Sequence, residues 1–502
     1  MRTDSARIAP PSKKYTADWQ ILVLSCALPL VLCAAKLDLD LWYDEAYTLQ
    51  AYVSRPAWQI VTDYSAPNNH ILYSLLLRPW YLISDSDFVL RFPSLMISAA
   101  TLAMMFRLGR RCGGPAAGGV SVLVLGLTQM FLVHTMQLRG YGLSIFLAVW
   151  LADLAVSRTG ERTARRSLTI VLAGAGFLYT MPTNALFLAP QTVLAAAIAW
   201  ARVDRRAAIR ELATWVAAWV LAFLADLPVL DQVWSSVGNS SRGDLRATGT
   251  IVRQVVAAAM HDSWPLALLV PPGIVAWMAR RRREPLGETA YLPVLLPAMI
   301  LGPFLLTALL GVTPFVRNYC PWVPFLAIGI GWPLVECARW GLHFATRKPI
   351  EGEQSEMPVF LIGAAVVLAT LVPAAWRYPA RLAEVRDQRF AQDGYYNYYA
   401  ADFSPSTVVA YLQEATARDA NYTVAFDRSA YFTLPHYALR AEFRMPRAHP
   451  GATIYYVAPA IAHLEDVSAM CDVPIETLRT FPRIRRIGYF HIYRSREPLR
   501  VE

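Results

Sequence analysis

Two adjacent carboxylates, Asp44 and Glu45, lie in the stretch "LDLDLWYDEAYTLQ", which follows the first strongly apolar run of the chain. Acids in or beside lipid are costly unless they have a partner or a chemical task. A carboxylate in a partly dry cavity can take a proton from an attacking hydroxyl, or it can hold a divalent cation. Neighbouring side chains point in different directions, so we expect two distinct roles. The alternative is an acidic interfacial loop that faces water.

Three arginines are predicted at membrane level on the same side as these acids. Arg91, Arg139 and Arg317 each stand at the external start of a predicted span. A guanidinium can donate two hydrogen bonds to one phosphate. The three residues therefore predict a site for an anion with an apolar tail, such as a lipid phosphate. Each arginine alone could instead extend to lipid headgroups.

Other residues near these positions are candidate substrate ligands. In "APNNHILYSLLLRPW", Asn69 and His70 could bind a polar ligand or a phosphate, or they could simply begin a helix. Tyr141 and Tyr319 each follow one of the arginines closely in "TMQLRGYGL" and "TPFVRNYCPWVP". Weaker candidates are His261 and Asp262 in "MHDSW".

Membrane-spanning helices must hold these residues in place. Of the 502 residues, 55% are hydrophobic and 17% are charged, whereas ordinary soluble domains are about 25% charged. Recurring apolar runs of spanning length predict a polytopic α-helical membrane protein with about eleven transmembrane helices. They are predicted at residues 20–36, 91–108, 115–134, 141–157, 167–181, 184–200, 211–230, 264–280, 289–311, 318–337 and 357–375.

The connecting segments alternate in charge, which predicts the topology. The net charge of +10 comes largely from arginines in short loops on one side, and the positive-inside rule makes that side cytoplasmic. Membrane topology explains this charge better than nucleic-acid binding does. Residues 1–19 are then a cytoplasmic N-terminus, and an uncleaved first span is favoured over a signal peptide. The external segments are residues 37–90 (here the first loop), residues 231–263 and residues 377–502.

Two stretches need separate treatment. The apolar run 70–84 has Arg78 and Pro79 in its middle, and counting it as a span would invert every later loop. We therefore expect an amphipathic or re-entrant helix there. The tyrosine-rich stretch 393–402 is expected at the membrane interface, where tyrosine is enriched.

The sequence of residues 377–502, here called the C-terminal region, predicts a small α/β domain on the external side of the membrane. Ser404 is a plausible N-cap with Pro405 at the first helical position. "YTVAF", "TIYYVAP" and "GYFHIYR" are predicted strands. Of the six cysteines only Cys471 falls in this region, so the sequence implies no disulfide framework there.

The order of these motifs is similar to that of a known family. An external "YDEA" loop, "FVLRFPSL", "MQLRGYGLSIFL" and a late "PFVRNYCPWVPFL" follow one another over roughly residues 20–340. The chain resembles the GT-C glycosyltransferases that use polyprenyl-phosphate sugars. These include bacterial relatives of the protein O-mannosyltransferases and of the lipid A aminoarabinose transferases.

The resemblance implies an inverting membrane transferase that acts on the external face of a bacterial inner membrane. It makes residues 20–376 the transferase domain and gives Asp44 the position of the catalytic acid, with Glu45 its usual neighbour. Arg91, Arg139 and Arg317 become ligands of the donor phosphate. The implied partners are a polyprenyl-phosphate sugar donor, membrane lipids, and a lipid, polysaccharide or protein acceptor.

Metal use and two rival functions are left open by the sequence. Leu138 stands where many relatives carry an acid, which weakens the case for a bound metal; no other cofactor is implied. A multi-span transporter or flippase of a lipid-linked or anionic substrate would also explain charges inside the membrane, although no internal repeat is evident. A non-catalytic binding or assembly protein that keeps the fold is the second rival.

Overall fold

A computed structural model gives the fold of the chain. It describes residues 13–157, 163–239, 245–260, 263–281, 292–312, 314–347, 355–393, 403–419, 421–427, 430–446, 451–459 and 464–497. The helices, in chain order, are α1 Lys13–Ala34, α2 Tyr43–Thr48, α3 Ala57–Thr62, α4 Ile71–Ile83, α5 Asp87–Gly113, α6 Pro115–Gly126, α7 Gln129–His134, α8 Tyr141–Val156, α9 Ala164–Thr180, α10 Ala185–Arg202, α11 Arg205–Asp226, α12 Leu230–Asn239, α13 Leu245–Met260, α14 Trp264–Ala267, α15 Val270–Arg281, α16 Leu292–Leu310, α17 Val323–Thr346, α18 Glu356–Asp393, α19 Pro405–Thr416, α20 Thr433–Arg440, α21 Leu464–Cys471 and α22 Ile475–Leu478. The strands are β1 Tyr422–Phe426, β2 Thr453–Pro459, β3 Arg483–Ile487 and β4 Phe490–Arg494.

The chain divides into two compact units. The first unit contains Met1–Ala35, His70–Tyr73 and Pro93–Ala375, and the second contains Lys36–Asn69, Ser74–Phe92 and Trp376–Glu502. The second unit thus combines most of the first loop with the C-terminal region.

The helices confirm a polytopic α-helical membrane protein. Among the described residues, 6 helical segments are long and apolar enough to cross a membrane. They are Ala17–Ala34, Asp87–Gly113, Pro182–Arg202, Arg205–Ser235, Val316–Thr346 and Glu356–Ala374. The other predicted spans coincide with shorter or interrupted helices, namely α6 with α7, α8, α9, α14 with α15, and α16.

The first unit is built around α17. In its spanning segment, Val316–Thr346, 83% of the most apolar 18-residue stretch is buried, whereas the corresponding share in Arg205–Ser235 is only 22%. α17 packs against α6, α15 and α16, and α9, α10 and α11 pack side by side. Apolar side chains such as Val31 and Leu305 remain exposed on outer faces. Those faces suit a lipid environment, where backbone polar groups are satisfied within each helix.

Buried ion pairs join helices at the predicted cytoplasmic end of the first unit. Asp153 on α8 is fully buried, and Arg107 Nε and Arg111 Nε of α5 approach its carboxylate oxygens at 3.0 and 2.7 Å. Similarly, Glu336 on α17 contacts Arg280 of α15 at 2.7 Å, and Arg339 on α17 contacts Glu356 of α18 at 2.7 Å. The positive loops that indicated the topology therefore also hold helix ends together.

The run 70–84 forms α4, of 13 residues. A helix of that length spans only about 20 Å, less than the ~30 Å hydrocarbon core of a bilayer. Arg78 Nη1 donates to the carbonyl oxygen of Val53 at 2.8 Å and also to that of Arg55. Backbone carbonyl oxygens of the first loop thus accept the hydrogen bonds of the arginine in the middle of α4. This is compatible with the expected amphipathic or re-entrant helix.

The C-terminal region contains a four-stranded sheet in the order β1-β2-β4-β3. β1 and β2 are parallel, while β2 with β4 and β4 with β3 are antiparallel. Side chains of Ala425, Ile454 and Tyr456 pack with Val467 and Leu478 in its core. The three predicted strands are confirmed. β3, with the sequence RIRRI, was not predicted, because its charged and exposed residues lack an apolar face.

The helix α19 begins at Pro405 with Ser404 at the N-cap position, as predicted. The Ser404 side chain makes no capping hydrogen bond. Instead, the backbone N–H of Ser406 donates to Asp40 Oδ2 at 2.7 Å, and the Ser406 hydroxyl donates to Asp40 Oδ1 at 2.9 Å. A carboxylate from the first loop therefore satisfies a backbone donor that the helix itself leaves open.

Candidate active site

The helix α2 carries both predicted acids of the first loop in its first turn. Glu45 Oε2 accepts the backbone N–H of Trp42 at 2.7 Å, which caps the start of the helix. Asp44 is 5% exposed. Its backbone oxygen accepts hydrogen bonds from Thr48 Oγ1 at 2.8 Å and Asn68 Nδ2 at 3.0 Å. Neighbouring groups therefore fix the backbone from which the Asp44 carboxylate projects.

Arg91 lies in the interior of the second unit, on α5. Its Nη2 donates to Glu45 Oε2 at 3.2 Å and to the carbonyl oxygen of Asp40 at 3.1 Å. Its Nη1 donates to the carbonyl oxygens of Leu37, at 3.4 Å, and Leu39. The side chains of Arg91 and Glu45 are 0% and 1% exposed. The guanidinium predicted to bind a phosphate is thus engaged by the first loop.

Asn69 is also engaged within the second unit. Its Nδ2 donates to the carbonyl oxygens of Ile60 at 2.9 Å and Asp63 at 2.7 Å. Its Oδ1 accepts a hydrogen bond from Ser74 Oγ at 2.9 Å. Both polar atoms of the Asn69 side chain are therefore used to join α3, the loop after it and α4, although the sequence had predicted that this residue binds substrate.

His70 belongs to the first unit and is nearly completely buried. Its Nδ1 accepts the backbone N–H of Gly140 at 2.6 Å, and its Nε2 lies 3.5 Å from Arg139 Nη2. Burial, with the positive charges of Arg139 and Arg317, lowers the pKa of His70 well below its usual value. The imidazole is therefore neutral at physiological pH. Because Nδ1 accepts a bond, Nε2 carries the proton in this state.

Two predicted residues pack beside this histidine. The Arg139 guanidinium lies 5.0 Å from the centre of the Tyr141 ring. The Tyr141 ring in turn meets the rings of His70 and His134 edge-on, at 5.1 and 5.3 Å between centroids. The structure therefore brings His70 together with Arg139 and Tyr141, which lie in a different segment of the sequence.

Arg317 and Tyr319 lie in the 3₁₀ helix Val316–Trp322 that leads into α17. The Arg317 guanidinium stands 4.7 Å from the centre of the Phe315 ring. Tyr319 is fully buried, and its hydroxyl shares a 2.6 Å hydrogen bond with Thr307 Oγ1. Its ring stacks on Phe304 at 5.2 Å. Tyr319 is thus part of the core, while Arg317 contributes positive charge toward His70.

The described residues do not form a set of metal ligands. In the part of the chain that the structure describes, no group of three or more His, Cys, Asp and Glu side chains could hold an ion. Glu45 is paired with Arg91, and Leu138 is a buried apolar residue. His261 and Asp262 lie outside the described residues, as do residues 394–402 of the tyrosine-rich stretch.

Sequence reasoning missed several residues that support these positions. The Tyr437 hydroxyl donates to Asp87 Oδ2 at 2.8 Å, and Arg440 Nη1 donates to Asp87 Oδ1 at 3.0 Å. Asp87 was detectable as an acid in the first turn of α5. Tyr437 carries no local signal, because its partners are far away in the chain. Gly140, whose N–H binds His70, was visible only as part of "LRGYG".

Comparison with known proteins gives the fold a context. No family model matches the sequence, and no curated protein matches it. Among solved structures, the chain matches ArnT from Cupriavidus metallidurans in the apo state with a TM-score of 0.50 and 13% sequence identity, over 96% of this chain and 98% of that chain. The chain has the fold of the GT-C glycosyltransferases. The predicted GT-C arrangement is therefore confirmed as a fold.

Two further GT-C structures match with lower scores. ArnT from Cupriavidus metallidurans bound to undecaprenyl phosphate gives a TM-score of 0.48 and 15% identity, over 94% of this chain and 97% of that chain. The Archaeoglobus fulgidus oligosaccharyltransferase complex with Zn and sulfate gives 0.43 and 12%, over 83% of this chain. The chain spans 61% of the length of that oligosaccharyltransferase.

Proposed function

We propose that the protein is a membrane glycosyltransferase that transfers a sugar from a polyprenyl phosphate to a hydroxyl acceptor. The observation that carries the proposal is the cationic cluster of the first unit. The buried Arg139 guanidinium lies 3.5 Å from His70 Nε2 and 5.0 Å from the centre of the Tyr141 ring. The half-buried Arg317 adds positive charge that acts on the same histidine. Buried positive charge in a chain with the GT-C fold suits a lipid-linked phosphate. ArnT, which has this fold, is also known bound to undecaprenyl phosphate.

The donor phosphate is assigned to His70, Arg139 and Arg317. The neutral imidazole presents its Nε2–H, because Nδ1 is used by Gly140. That donor and the Arg139 guanidinium lie 3.5 Å apart, so one anionic oxygen can accept from both. Tyr141 holds the guanidinium over its ring. The buried Tyr319 supports the segment that carries Arg317, rather than contacting the sugar.

Asp44 is assigned the role of general base. Its carboxylate takes the proton from the acceptor hydroxyl while the hydroxyl oxygen attacks the anomeric carbon of the sugar. The bond between that carbon and the phosphate oxygen breaks, and the polyprenyl phosphate leaves with the electron pair. Attack opposite the leaving group inverts the anomeric carbon. Arg139 and Arg317 stabilise the negative charge that develops on the phosphate.

Glu45, Arg91 and Asn69 are assigned positioning roles. Glu45 caps α2 and pairs with Arg91, so its carboxylate is already used by the fold. Arg91 binds three carbonyl oxygens of the segment that precedes Asp44. Asn69 joins the other end of the first loop to α4. These contacts favour a role in orienting Asp44 over direct contact with the donor phosphate.

The transfer is assigned to the external face of a bacterial inner membrane. The cation-rich loops then lie in the cytoplasm, and the C-terminal region lies outside. The acceptor is a hydroxyl group of a lipid, a polysaccharide or a protein.

The test is a transfer assay with the full chain in lipid nanodiscs. The protein is incubated with a panel of undecaprenyl-phosphate sugars and crude membranes as the acceptor source, and release of undecaprenyl phosphate is followed. Sugar-dependent release is expected, and Asp44→Asn should lower kcat about 10²- to 10⁴-fold, as for loss of a general base. The matched control is Asp38→Asn, an exposed acid of the same loop, which should keep wild-type turnover.

Two outcomes would contradict the proposal. Turnover at the wild-type rate in Asp44→Asn would remove Asp44 from the mechanism. Binding of the lipid-linked sugars without release of undecaprenyl phosphate from any of them would favour the transporter or flippase, which a flux assay in proteoliposomes would then detect.

A further inference from the structure

The segment of residues 37–45, which ends in the proposed base and its neighbour, is held from two directions within the second unit. On one side, Arg91 binds the carbonyl oxygens of Leu37, Leu39 and Asp40. On the other side, the contacts come from the C-terminal region. Since the segment has little regular structure before α2, its conformation depends on these contacts.

The most direct contact from the C-terminal region is made by Tyr437 of α20. Its hydroxyl oxygen accepts the backbone N–H of Leu41 at 2.7 Å, and its proton goes to Asp87 Oδ2 at 2.8 Å. Tyr437 is 5% exposed and Asp87 is 9% exposed. Burial, together with the charges of Asp87 and Asp40, raises the pKa of Tyr437. The hydroxyl therefore keeps its proton and serves both partners at once.

The same helix turn of α5 supplies both anchors. Asp87 and Arg91 stand four residues apart on α5, so they lie on one face of the helix. Asp87 orients the Tyr437 hydroxyl and pairs with Arg440 at 3.0 Å, while Arg91 binds the other side of the segment. Tyr437 thus holds Leu41 and is itself held by Asp87 of α5. The same helix holds the residues before Leu41 through Arg91.

Two further contacts connect the C-terminal region to the same few residues. The Asp40 carboxylate accepts two hydrogen bonds from Ser406 at the start of α19. The Phe432 ring lies 4.9 Å from the Tyr43 ring and 4.7 Å from the Tyr47 ring. These tyrosines flank Asp44 on α2. The contacts therefore act on the backbone before the base and on the helix that carries it.

We propose that Tyr437 is a positioning residue for the transfer reaction, and that the C-terminal region is thereby part of the catalytic apparatus. Its hydroxyl fixes the amide of Leu41, three residues before Asp44, and so sets the direction of the Asp44 carboxylate. The inference rests on the proposed role of Asp44 as the base.

The experiment uses Tyr437→Phe in the full chain in nanodiscs and combines turnover with hydrogen exchange. The variant keeps the ring and removes the hydroxyl, leaving the Leu41 N–H without that acceptor. We expect kcat to fall about tenfold, the size of effect expected for a buried donor left unsatisfied, with KM for the donor unchanged. Amides of residues 37–48 should exchange about tenfold faster for the same reason.

The matched control is Tyr456→Phe. Tyr456 lies in the core of the same C-terminal sheet, is 3% exposed and donates its hydroxyl to the carbonyl oxygen of Leu478 at 3.2 Å. It has the same kind of buried hydrogen bond, and its ring partners Phe481 and Tyr493 lie outside residues 37–45. It should leave kcat and the exchange of residues 37–48 unchanged. A milder second variant, Ser406→Ala, should shift both readouts a few-fold in the same direction as Tyr437→Phe.

The outcomes separate this inference from the proposed function. Wild-type exchange of residues 37–48 in a folded Tyr437→Phe protein overturns the positioning role, whatever the turnover. Equal loss of kcat in the Tyr456→Phe control overturns it too, since any weakening of the sheet would then suffice. If wild-type protein releases no undecaprenyl phosphate while exchange responds as expected, the anchoring of the segment stands and the transferase function falls.

Discussion

At the scale of single residues, the pairing of Glu45 with Arg91 gives the two adjacent acids, Asp44 and Glu45, different surroundings. Both side chains of the pair are inaccessible to solvent. A buried charge is tolerated when it is paired and hydrogen-bonded. Carbonyl oxygens of the first loop accept further hydrogen bonds from both Nη atoms of Arg91. Glu45 is therefore committed to the fold, which leaves Asp44 as the acid of the pair that we assign to chemistry.

The buried His70 predicts a dependence of stability on pH. In the unfolded chain a histidine titrates near pH 6.5, whereas in the folded chain burial and two arginines lower the pKa of His70 well below that. Below about pH 6.5 the unfolded state binds a proton that the folded state refuses. Stability should therefore fall as the pH falls, by up to about 1.4 kcal/mol per pH unit from this group.

Thermal unfolding of wild type and His70→Gln at pH 7.5 and 5.5 measures this contribution. Glutamine can still accept the Gly140 N–H but does not titrate in this range. We expect the variant to lose less of its Tm on acidification than the wild type. Equal losses in both proteins would mean that His70 does not carry the effect.

The sequence singled out the residues that we assign to chemistry, but it did not predict their partners. Asp44, Arg139 and His70 were detectable because charged or polar side chains beside apolar runs need an explanation. The engagement of Arg91 was not predictable, because its acceptors are mostly backbone carbonyl oxygens, which every residue has. The role that we propose for Tyr437 was equally hidden, since its contact with Leu41 joins residues 396 positions apart.

At the scale of elements, α5 and α6 approach each other through glycine. A Cβ added at Gly118 would lie 2.6 Å from the carbonyl oxygen of Phe106, and one added at Gly109 would lie 2.9 Å from the Cα of Gly118. Backbone atoms cannot move aside without separating the helices. The two glycines thus permit a closer packing than larger residues would allow.

Replacing Gly118 by alanine should therefore destabilise the protein, although alanine favours helices. We expect a loss of about 1–3 kcal/mol, typical of overpacking, seen as a lower unfolding midpoint in detergent. Gly341→Ala is the matched control, because no atom lies within 4 Å of a Cβ built there. The control should be neutral or slightly stabilising; a Gly118→Ala protein that behaves like it would disprove the close-packing account.

Element positions were predictable where periodicity or hydropathy was strong. Each predicted span coincides with a helix, and the short α4 agrees with the decision to leave residues 70–84 out of the spans. The start of α19 was predicted correctly from Pro405. Ser404 is the N-cap residue, as predicted, but the capping oxygen comes from Asp40, which lies 366 residues away. Local sequence patterns carry no information about a partner at that distance.

At the scale of the whole molecule, the parity of the spans decides the topology. The eleven predicted spans put the two ends of the chain on opposite sides of the membrane. Among the described residues, 6 segments are long and apolar enough to cross a membrane. An even number of spans would put the two ends on the same side. Positive charge in alternate loops favours the first arrangement, with the C-terminal region outside.

Reporter fusions in a bacterial host test this directly. Alkaline phosphatase fused after residue 502 should be active, and green fluorescent protein at the same point should be dark, because each folds on only one side of the membrane. The reciprocal fusions at the N-terminus should give fluorescence. A fluorescent C-terminal fusion would reverse the assigned orientation of the C-terminal region and of the proposed reaction.

The cap that Asp40 places on α19 also has a consequence for biosynthesis. The two ends of that contact are 366 residues apart, and ribosomes add about 5–20 residues per second. The first loop therefore leaves the ribosome roughly 20 to 70 s before its partner exists. During that interval the nascent chain has the proposed base, but it lacks the groups of the C-terminal region that we propose to position it. We therefore expect a ribosome that stalls before α19 to produce an inserted but inactive protein. Activity would then appear only when translation of the C-terminal region is complete.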